Sequence, residues 1–385
     1  MSGFDPVGYG LIGAGAFGRF CVEQYRSLES VQCLAVADVS ADAAARAASD
    51  LGLEACGSLD DLLARSDVEL VHLATPPSTH TELAERCLAA GKHVLCEKPL
   101  AIDVADGRRM IDAAEAAGRV LATDLIMRYN PLAEAVRTIV REGLLGKPLR
   151  GSFENFAKDQ TLGPDHWFWD KQQSGGIFIE HGVHFFDLFA YLLGDDLPIA
   201  VEAAQQVVRP HSTRPNGERI VEQVHATVRY GERPGGVLVG FYHGFTQPDA
   251  MDRQTMRLLC ERGDITLDEW VPTSLVIDCC VTRETAEWIT GLFGDAQLTR
   301  AQIGTDAGGV TGRHKAFAAD GRYRIMATVG MDKPALYGHV LRGLLDDQVR
   351  YIRDRGHGRR LTESQGLRSL ELAAEAEALA AGPMD

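Results

Sequence analysis

Twelve residues near the start, Val7-Gly8-Tyr9-Gly10-Leu11-Ile12-Gly13-Ala14-Gly15-Ala16-Phe17-Gly18, restrict the fold more than any other stretch. They read as a short buried strand, a tight glycine turn and the start of a helix. Gly13, Gly15 and Gly18 have G-x-G-x-x-G spacing. In that pattern the first glycine allows the sharp turn, the second lets the backbone approach a pyrophosphate, and the third lets helix and strand pack closely. The helix N-terminus, at Ala16 and Phe17, offers free N–H groups and positive partial charge to phosphates. The chain holds 40 glycines, so the spacing alone also fits a glycine turn of another α/β fold. The context favours the dinucleotide reading. Phe17, Phe20, Cys21, Tyr25 and Leu28 mark one face of the following helix. A second apolar run, Cys33 to Ala37, ends at Asp38, where a ribose-binding acid belongs.

With 385 residues, two domains are the default expectation. A net charge of -15 repels phosphate backbones and anionic lipid, so neither nucleic acid nor membrane is an expected partner. No secretory signal precedes Val7 and no apolar run has the length of a membrane span. The eight cysteines, without a C-x-x-C pair, read as reduced thiols and imply a cytoplasmic protein.

Apolar runs alternate with helical patterns through residue 128: helices near 41–51, 79–90 and 104–117, strands near 68–74, 92–96 and 120–127. The fold class is therefore α/β, with a parallel doubly wound (Rossmann) dinucleotide-binding domain at 1–128. Thr75-Pro76-Pro77-Ser78-Thr79-His80 and Glu97-Lys98-Pro99 lie at the carboxyl ends of strands, where ligands bind in this architecture. After Arg128-Tyr129-Asn130-Pro131 the pattern changes. Runs at 149–156, 199–208, 223–230, 236–245, 255–260 and 274–280 alternate without intervening helices. They predict an α+β domain at 129–385 with a large, mostly antiparallel open sheet. Its free face is an expected subunit interface for a homodimer or homotetramer. Helices near 334–353 and 363–381 close the chain. Residues 296–321 are the most irregular, and 282–331 carry no usable motif.

The chemical stretch is 167–187, where Glu180, His181, His184 and Asp187 fall within eight residues. His181 and His184 are i,i+3, as are His184 and Asp187, so a helix places each pair on one face. Apolar neighbours imply burial, and buried ionisable groups are costly unless paired or functional. Three roles compete: a structural histidine–carboxylate lock, a metal site from His181, His184 and a carboxylate, and a general base. In the last, His184 takes a hydroxyl proton while Glu180 or Asp187 orients it. His166, Trp167 and Trp169 precede the block and either line a sugar pocket or pack beneath a loop.

Together these pieces resemble the glucose–fructose oxidoreductase and inositol dehydrogenase (Gfo/Idh/MocA) family. The matching parts are the turn at 13–18, 74–80, Cys96-Glu97-Lys98-Pro99-Leu100, Arg128-Tyr129-Asn130-Pro131, and 174–187. The resemblance implies an oxidoreductase that uses NAD, or less readily NADP, on sugars, cyclitols and related polyols. It implies that Lys98 and His184 are catalytic, with Glu180 where the family has aspartate. It implies cofactor contacts from Gly13, Gly15, Ala16, Phe17, Gly18, Asp38, Thr75, Pro76, His80, Glu97, Lys98 and Arg128. Substrate contacts would come from Lys98, His166, Trp169, His181 and His184, and no metal is implied. Asp38 favours NAD, because a carboxylate accepts ribose hydroxyls and repels a 2′-phosphate; Arg46 in the next helix softens that preference. Two other readings of the fold remain: a redox-neutral, NAD-dependent glycoside-cleaving enzyme, and a non-catalytic sensor of cofactor or sugar.

Overall fold

The computed structural model describes residues 5–159, 162–301, 309–311 and 316–382. Two compact units interleave along the chain. Described residues of 1–129, 166–187 and 337–377 form the first, and those of 130–165, 188–336 and 378–385 the second. A single boundary at 128/129 therefore does not divide them. The segment 166–187 and most of the two late helices pack with the dinucleotide-binding sheet.

The first unit holds six parallel strands: β1 (Val7–Ile12), β2 (Val31–Ala37), β3 (Glu54–Ala55), β4 (Leu70–Leu73), β5 (His93–Cys96) and β6 (Leu121–Thr123). Their order is 3-2-1-4-5-6, the expected doubly wound one. Every residue of β1, β4, β5 and β6 is buried, as a sheet covered on both faces requires. The helices α1 (Ala16–Tyr25), α2 (Ala41–Leu51), α3 (Leu59–Leu63), α4 (His80–Ala89) and α5 (Val104–Ala117) cover it. Local chemistry sets their ends. Ser40, Ser58 and Asp103 accept from first-turn amides of α2, α3 and α5, and Gly52 and Gly118 close α2 and α5 in the left-handed conformation. On α1 the buried face is Gly18, Cys21, Val22 and Tyr25. Phe17, expected on it, is exposed and meets Tyr337 edge-on at 6.0 Å.

The strand expected over 120–127 is shorter. Asp124 N–H donates the last ladder bond to Cys96 O, and the chain then winds into a 3₁₀ turn, Ile126–Tyr129. That turn points Arg128 inward. Its Nε and Nη2 meet both oxygens of Asp187 at 2.8 and 2.6 Å, with the guanidinium fully buried.

The second unit begins with α6 (Pro131–Arg141), capped by Asn130, whose Oδ1 accepts from Leu132 N–H at 2.9 Å. Its sheet contains β7 (Pro148–Lys158), β8 (Ile199–Thr213), β9 (Arg219–Tyr230), β10 (Val237–Gln247), β11 (Arg253–Cys260), β12 (Gly263–Asp268), β13 (Ser274–Val281), β14 (Asp295–Ala301) and β17 (Gly321–Thr328). A separate hairpin pairs β15 (Gly309–Thr311) with β16 (Ala316–Ala318). The nine-stranded order is 14-17-13-12-11-7-10-9-8, antiparallel except where β7 meets β10. Phe189 stands edge-on to Phe241 at 5.3 Å and lies over Gly151, where a Cβ would come within 2.7 Å of its ring. Three strands of this nine-stranded sheet escaped the sequence reading. β17 hides its apolar alternation between exposed arginines, β14 is a largely exposed edge, and β12 follows β11 across a tight turn. Part of the irregular 296–321 stretch, residues 302–308 and 312–315, lies outside the described residues.

One helical run, 171–193, is long and apolar enough to cross a membrane, against the expectation that no run reaches that length. It is 89% buried within the fold, as a core helix is. The Arg128–Asp187 pair is sealed from solvent, so removing one partner leaves a desolvated charge. Asp187→Asn is expected to lower unfolding stability by about 3 kcal/mol. Urea denaturation checks this; a loss below about 1 kcal/mol would put the pair's weight elsewhere.

Candidate active site

All the site residues named from the sequence belong to the first unit. The glycine turn has the expected mechanics. Gly13 sits at φ +100°, and a Cβ there would lie 2.3 Å from Ala74 O. At Gly18 a Cβ would strike Gly13 O at 2.4 Å, so only glycine lets α1 lie this close to β1. Gly15 differs: it is exposed, and a Cβ would meet nothing within 4 Å. Space is left above Gly15, and the exposed first turn of α1, at Ala16 and Phe17, borders it. A pyrophosphate fits this cradle.

Asp38, at the end of β2, is held by two backbone donors. Ala14 N–H reaches Oδ2 at 2.7 Å and Ser40 N–H reaches Oδ1 at 2.8 Å. Each oxygen retains capacity for a ribose hydroxyl. Thr75 and Pro76 form the turn after β4, with Thr79 Oγ1 within 2.8 Å of both Thr75 Oγ1 and Pro76 O.

Three residues expected at the cofactor face inward instead. His80 is fully buried, its ring nitrogens 2.9 Å from Pro99 O and 3.0 Å from Thr75 O. It ties the turn after β4 to the turn after β5. Glu97 turns its carboxyl into the core, where Oε1 lies 3.0 Å from His72 Nε2. Burial pushes that carboxyl up to about 8. Arg128 is consumed by Asp187, as described above. The same pair gives Asp187 a partner other than His184, so of the two candidate orienting acids Asp187 is a structural anchor.

Lys98 alternates outward from Glu97. Its ammonium donates to Glu180 Oε1 at 2.5 Å and to Glu180 O at 3.0 Å. Glu180 and His181 lie in a π-helical turn, Phe178–Gly182, that leads into helix Val183–Leu193. A regular α-helix through 180–187 was expected. The wide turn, closed by Val183 N–H on Phe178 O, changes the angular register of His181 against His184. Burial drives both imidazoles down, His181 to about 3 and His184 well below the ordinary range, and the Lys98 ammonium adds to both shifts. Both rings are neutral at pH 7. Among the described residues the two histidines do not gather with a carboxylate at metal-ligand distances, so the metal-site reading finds no geometry here.

His166 caps the next turn, its Nδ1 accepting from Phe168 N–H at 3.2 Å, while Trp169 stands edge-on to Phe168 at 4.8 Å. Both are half-buried. Sequence reasoning missed Glu377. Its Oε1 accepts from Phe178 N–H at 3.1 Å and would lie 2.4 Å from a Cβ on Gly176, so a carboxylate caps the turn that carries Glu180. Its second oxygen takes Lys171 Nζ at 2.9 Å. A carboxylate two hundred residues away carries no local signal. His72 and Tyr9 were also missed, although a histidine inside a buried run was a visible anomaly.

The description "oxidoreductase family, NAD-binding Rossmann fold" matches residues 7–125, and the Gfo/Idh/MocA C-terminal domain matches 133–266. The chain belongs to the Gfo/Idh/MocA oxidoreductase family. A 1,5-anhydro-D-fructose reductase of Ensifer adhaerens is 30% identical over 243 residues, 62% of this chain and 69% of that protein. A myo-inositol 2-dehydrogenase of Thermotoga maritima is 31% identical over 191 residues, 49% of this chain and 55% of its own length. The crystal structure of an oxidoreductase domain protein from Kribbella flavida shares the fold, with TM-score 0.75, 21% identity and 98% coverage of both chains.

The fixed carboxylate of Asp38 generates a prediction. Asp38→Ser is expected to cut the NAD-over-NADP preference in kcat/KM by about tenfold or more, through lost repulsion of the 2′-phosphate. Steady-state kinetics with each cofactor measures it, and an unchanged ratio would remove Asp38 from cofactor choice.

Proposed function

We propose that this chain is a dehydrogenase for a secondary alcohol of a sugar, cyclitol or sugar derivative, with NAD as the preferred cofactor. The single observation that carries the reading is the Lys98 ammonium fixed on Glu180, with His184 held neutral one turn further on. When bound, nicotinamide supplies a hydride acceptor; the chain's own groups manage the proton and the charge. Neutral His184 accepts the hydroxyl proton. Lys98 has three N–H donors and Glu180 takes two of them. The third is available to the substrate oxygen as negative charge develops there. Glu180 thus orients Lys98, and its longer side chain reaches the ammonium as an aspartate would from a closer backbone. His181, His166 and Trp169 supply polar and aromatic surface for a polyol. The relatives' names, a reductase of an anhydroketose and an inositol dehydrogenase, support that substrate class.

The protein is further proposed to be a cytoplasmic homo-oligomer. Its eight cysteines are all free thiols, which suits a reducing compartment. The open sheet of the second unit exposes Leu238, Leu259 and Met326, surface that a second copy would cover.

Two predictions test the chemistry. Absorbance of reduced nicotinamide, followed with NAD and a panel of sugars, cyclitols and glycosides, should rise with at least one polyol. Lys98→Ala and His184→Ala should each lower that rate by about a hundredfold or more. Glycoside cleavage without net NAD reduction would instead select the redox-neutral reading. The second concerns pH. Because the folded His184 titrates below 6.5, it remains a competent base there, and the acid limb of kcat/KM for oxidation should fall below pH 6.5. A limb at or above 6.5, absent in His184→Ala, would contradict the assigned base.

A further inference from the structure

Beneath Lys98 the core of the first unit contains a line of polar groups that the proposed chemistry leaves unused. Tyr9, in the middle of β1, and His72, in β4, are fully buried. Tyr9 Oη lies 2.7 Å from His72 Nδ1, and His72 Nε2 lies 3.0 Å from Glu97 Oε1. Tyr25 of α1 packs its ring 5.6 Å from Tyr9 and 5.9 Å from His72. The line runs across the sheet and stops at the residue that precedes Lys98. Placing a phenol, an imidazole and a carboxyl in a sheet core costs solvation that apolar side chains at Tyr9 and His72 would not. The hydrogen bonds that offset this cost also fix a direction.

We propose that Tyr9, His72 and Glu97 form a buried positioning relay, whose hydrogen-bond direction sets the charge on Glu97 and thereby the field at the adjoining Lys98. This inference rests on the dehydrogenase reading only where turnover is concerned. A neutral imidazole has one N–H. When Tyr9 O–H donates to Nδ1, that proton sits on Nε2 and donates to Glu97, which favours the carboxylate. When Glu97 is protonated on Oε1, that O–H donates to Nε2, and Nδ1–H then donates to the Tyr9 oxygen. The phenol must in that case direct its own proton elsewhere, so Tyr9 biases the relay toward an ionised Glu97. Anchored inward, Glu97 also forces the next side chain, Lys98, to the opposite side of the extended backbone, onto Glu180.

The other groups facing Glu97 are Asp124 at the end of β6, Cys21 and Tyr25 of α1, Tyr337, and Lys98 and Glu180 on the site side. Burial opposes charge on Glu97 and Glu180 adds to that, whereas the Lys98 ammonium and a hydrogen bond with Asp124, whose own carboxyl burial and Glu97 hold neutral, favour it. The relay therefore works near a balance. Above about pH 8 Glu97 ionises and offsets part of the Lys98 charge.

The test uses Tyr9→Phe, which removes one hydroxyl and keeps the ring. Infrared titration of the full-length protein in heavy water follows the neutral carboxyl band, and the component lost in Glu97→Gln identifies Glu97. The expected result is a Glu97 component that disappears near pH 8 and moves up by about half a pH unit or more in Tyr9→Phe. The basic limb of kcat for NAD reduction should move with it. A Glu97 component that titrates in the ordinary carboxylate range, or that ignores Tyr9→Phe, overturns the relay whether or not any polyol turns over. A shifted band with an unshifted kcat limb overturns the link to Lys98. If Glu97→Gln fails to fold, the wild-type band compared with Tyr9→Phe still decides the first point. Failure of the dehydrogenase reading shows separately, as no reduction of NAD in wild type.

Discussion

A guanidinium sealed from solvent holds the first unit together. Arg128 comes from the turn after the last parallel strand, and Asp187 from the helix that carries His184. Their two-point contact closes a path between the end of the sheet and the segment that carries Glu180 and His184. A planar fork against a planar carboxylate tolerates little rotation, so the pair sets the helix orientation as well as its distance. The chemistry above it depends on that orientation. Lys98 and Glu180 meet at hydrogen-bond length only because the sheet edge and the π-helical turn are held in fixed register.

The carboxyl edge of the sheet sorts its charged residues by direction. Glu97 points down to His72, and Lys98 points up to Glu180. His80 spans the two turns from beneath, through backbone carbonyls. A parallel sheet makes this sorting possible, since every strand ends at the same edge and neighbouring residues in extended chain face opposite ways. Burial pushes inward Glu97 and His72 toward their neutral forms, while Lys98 and Glu180 meet as an ion pair on the opposite side. The site is thus a polar surface resting on a neutralised polar layer.

Much of this was legible in the residues. The three glycines have the three different environments that their spacing implies, and Asp38 stands where a ribose acid should. Lys98, Glu180 and His184 stood out by strand-end position and by ionisable groups in an apolar run, while their roles came from the family resemblance. What the residues did not disclose is direction. A strand-end glutamate reads the same whether its carboxyl faces ligand or core, and an arginine after a strand reads as a ligand contact until a distant aspartate is seen beside it. The π-helical turn also has no marker in a run of apolar residues. Residues 166–187 and 337–377 follow the 128/129 boundary in sequence yet belong to the unit of the parallel sheet, which no local pattern discloses.

The cap that Glu377 places on the turn before Glu180 bears on how the protein is made. Phe178 leaves the ribosome about two hundred residues before its partner, which at ordinary elongation rates is a delay of roughly 10 to 40 s. During that interval the dinucleotide-binding strands can pair, but the catalytic turn lacks its carboxylate and the late helices that cover it. Such long-range closure raises contact order and slows folding. The π-helical turn thus gains its carboxylate cap only after the final helix has been made.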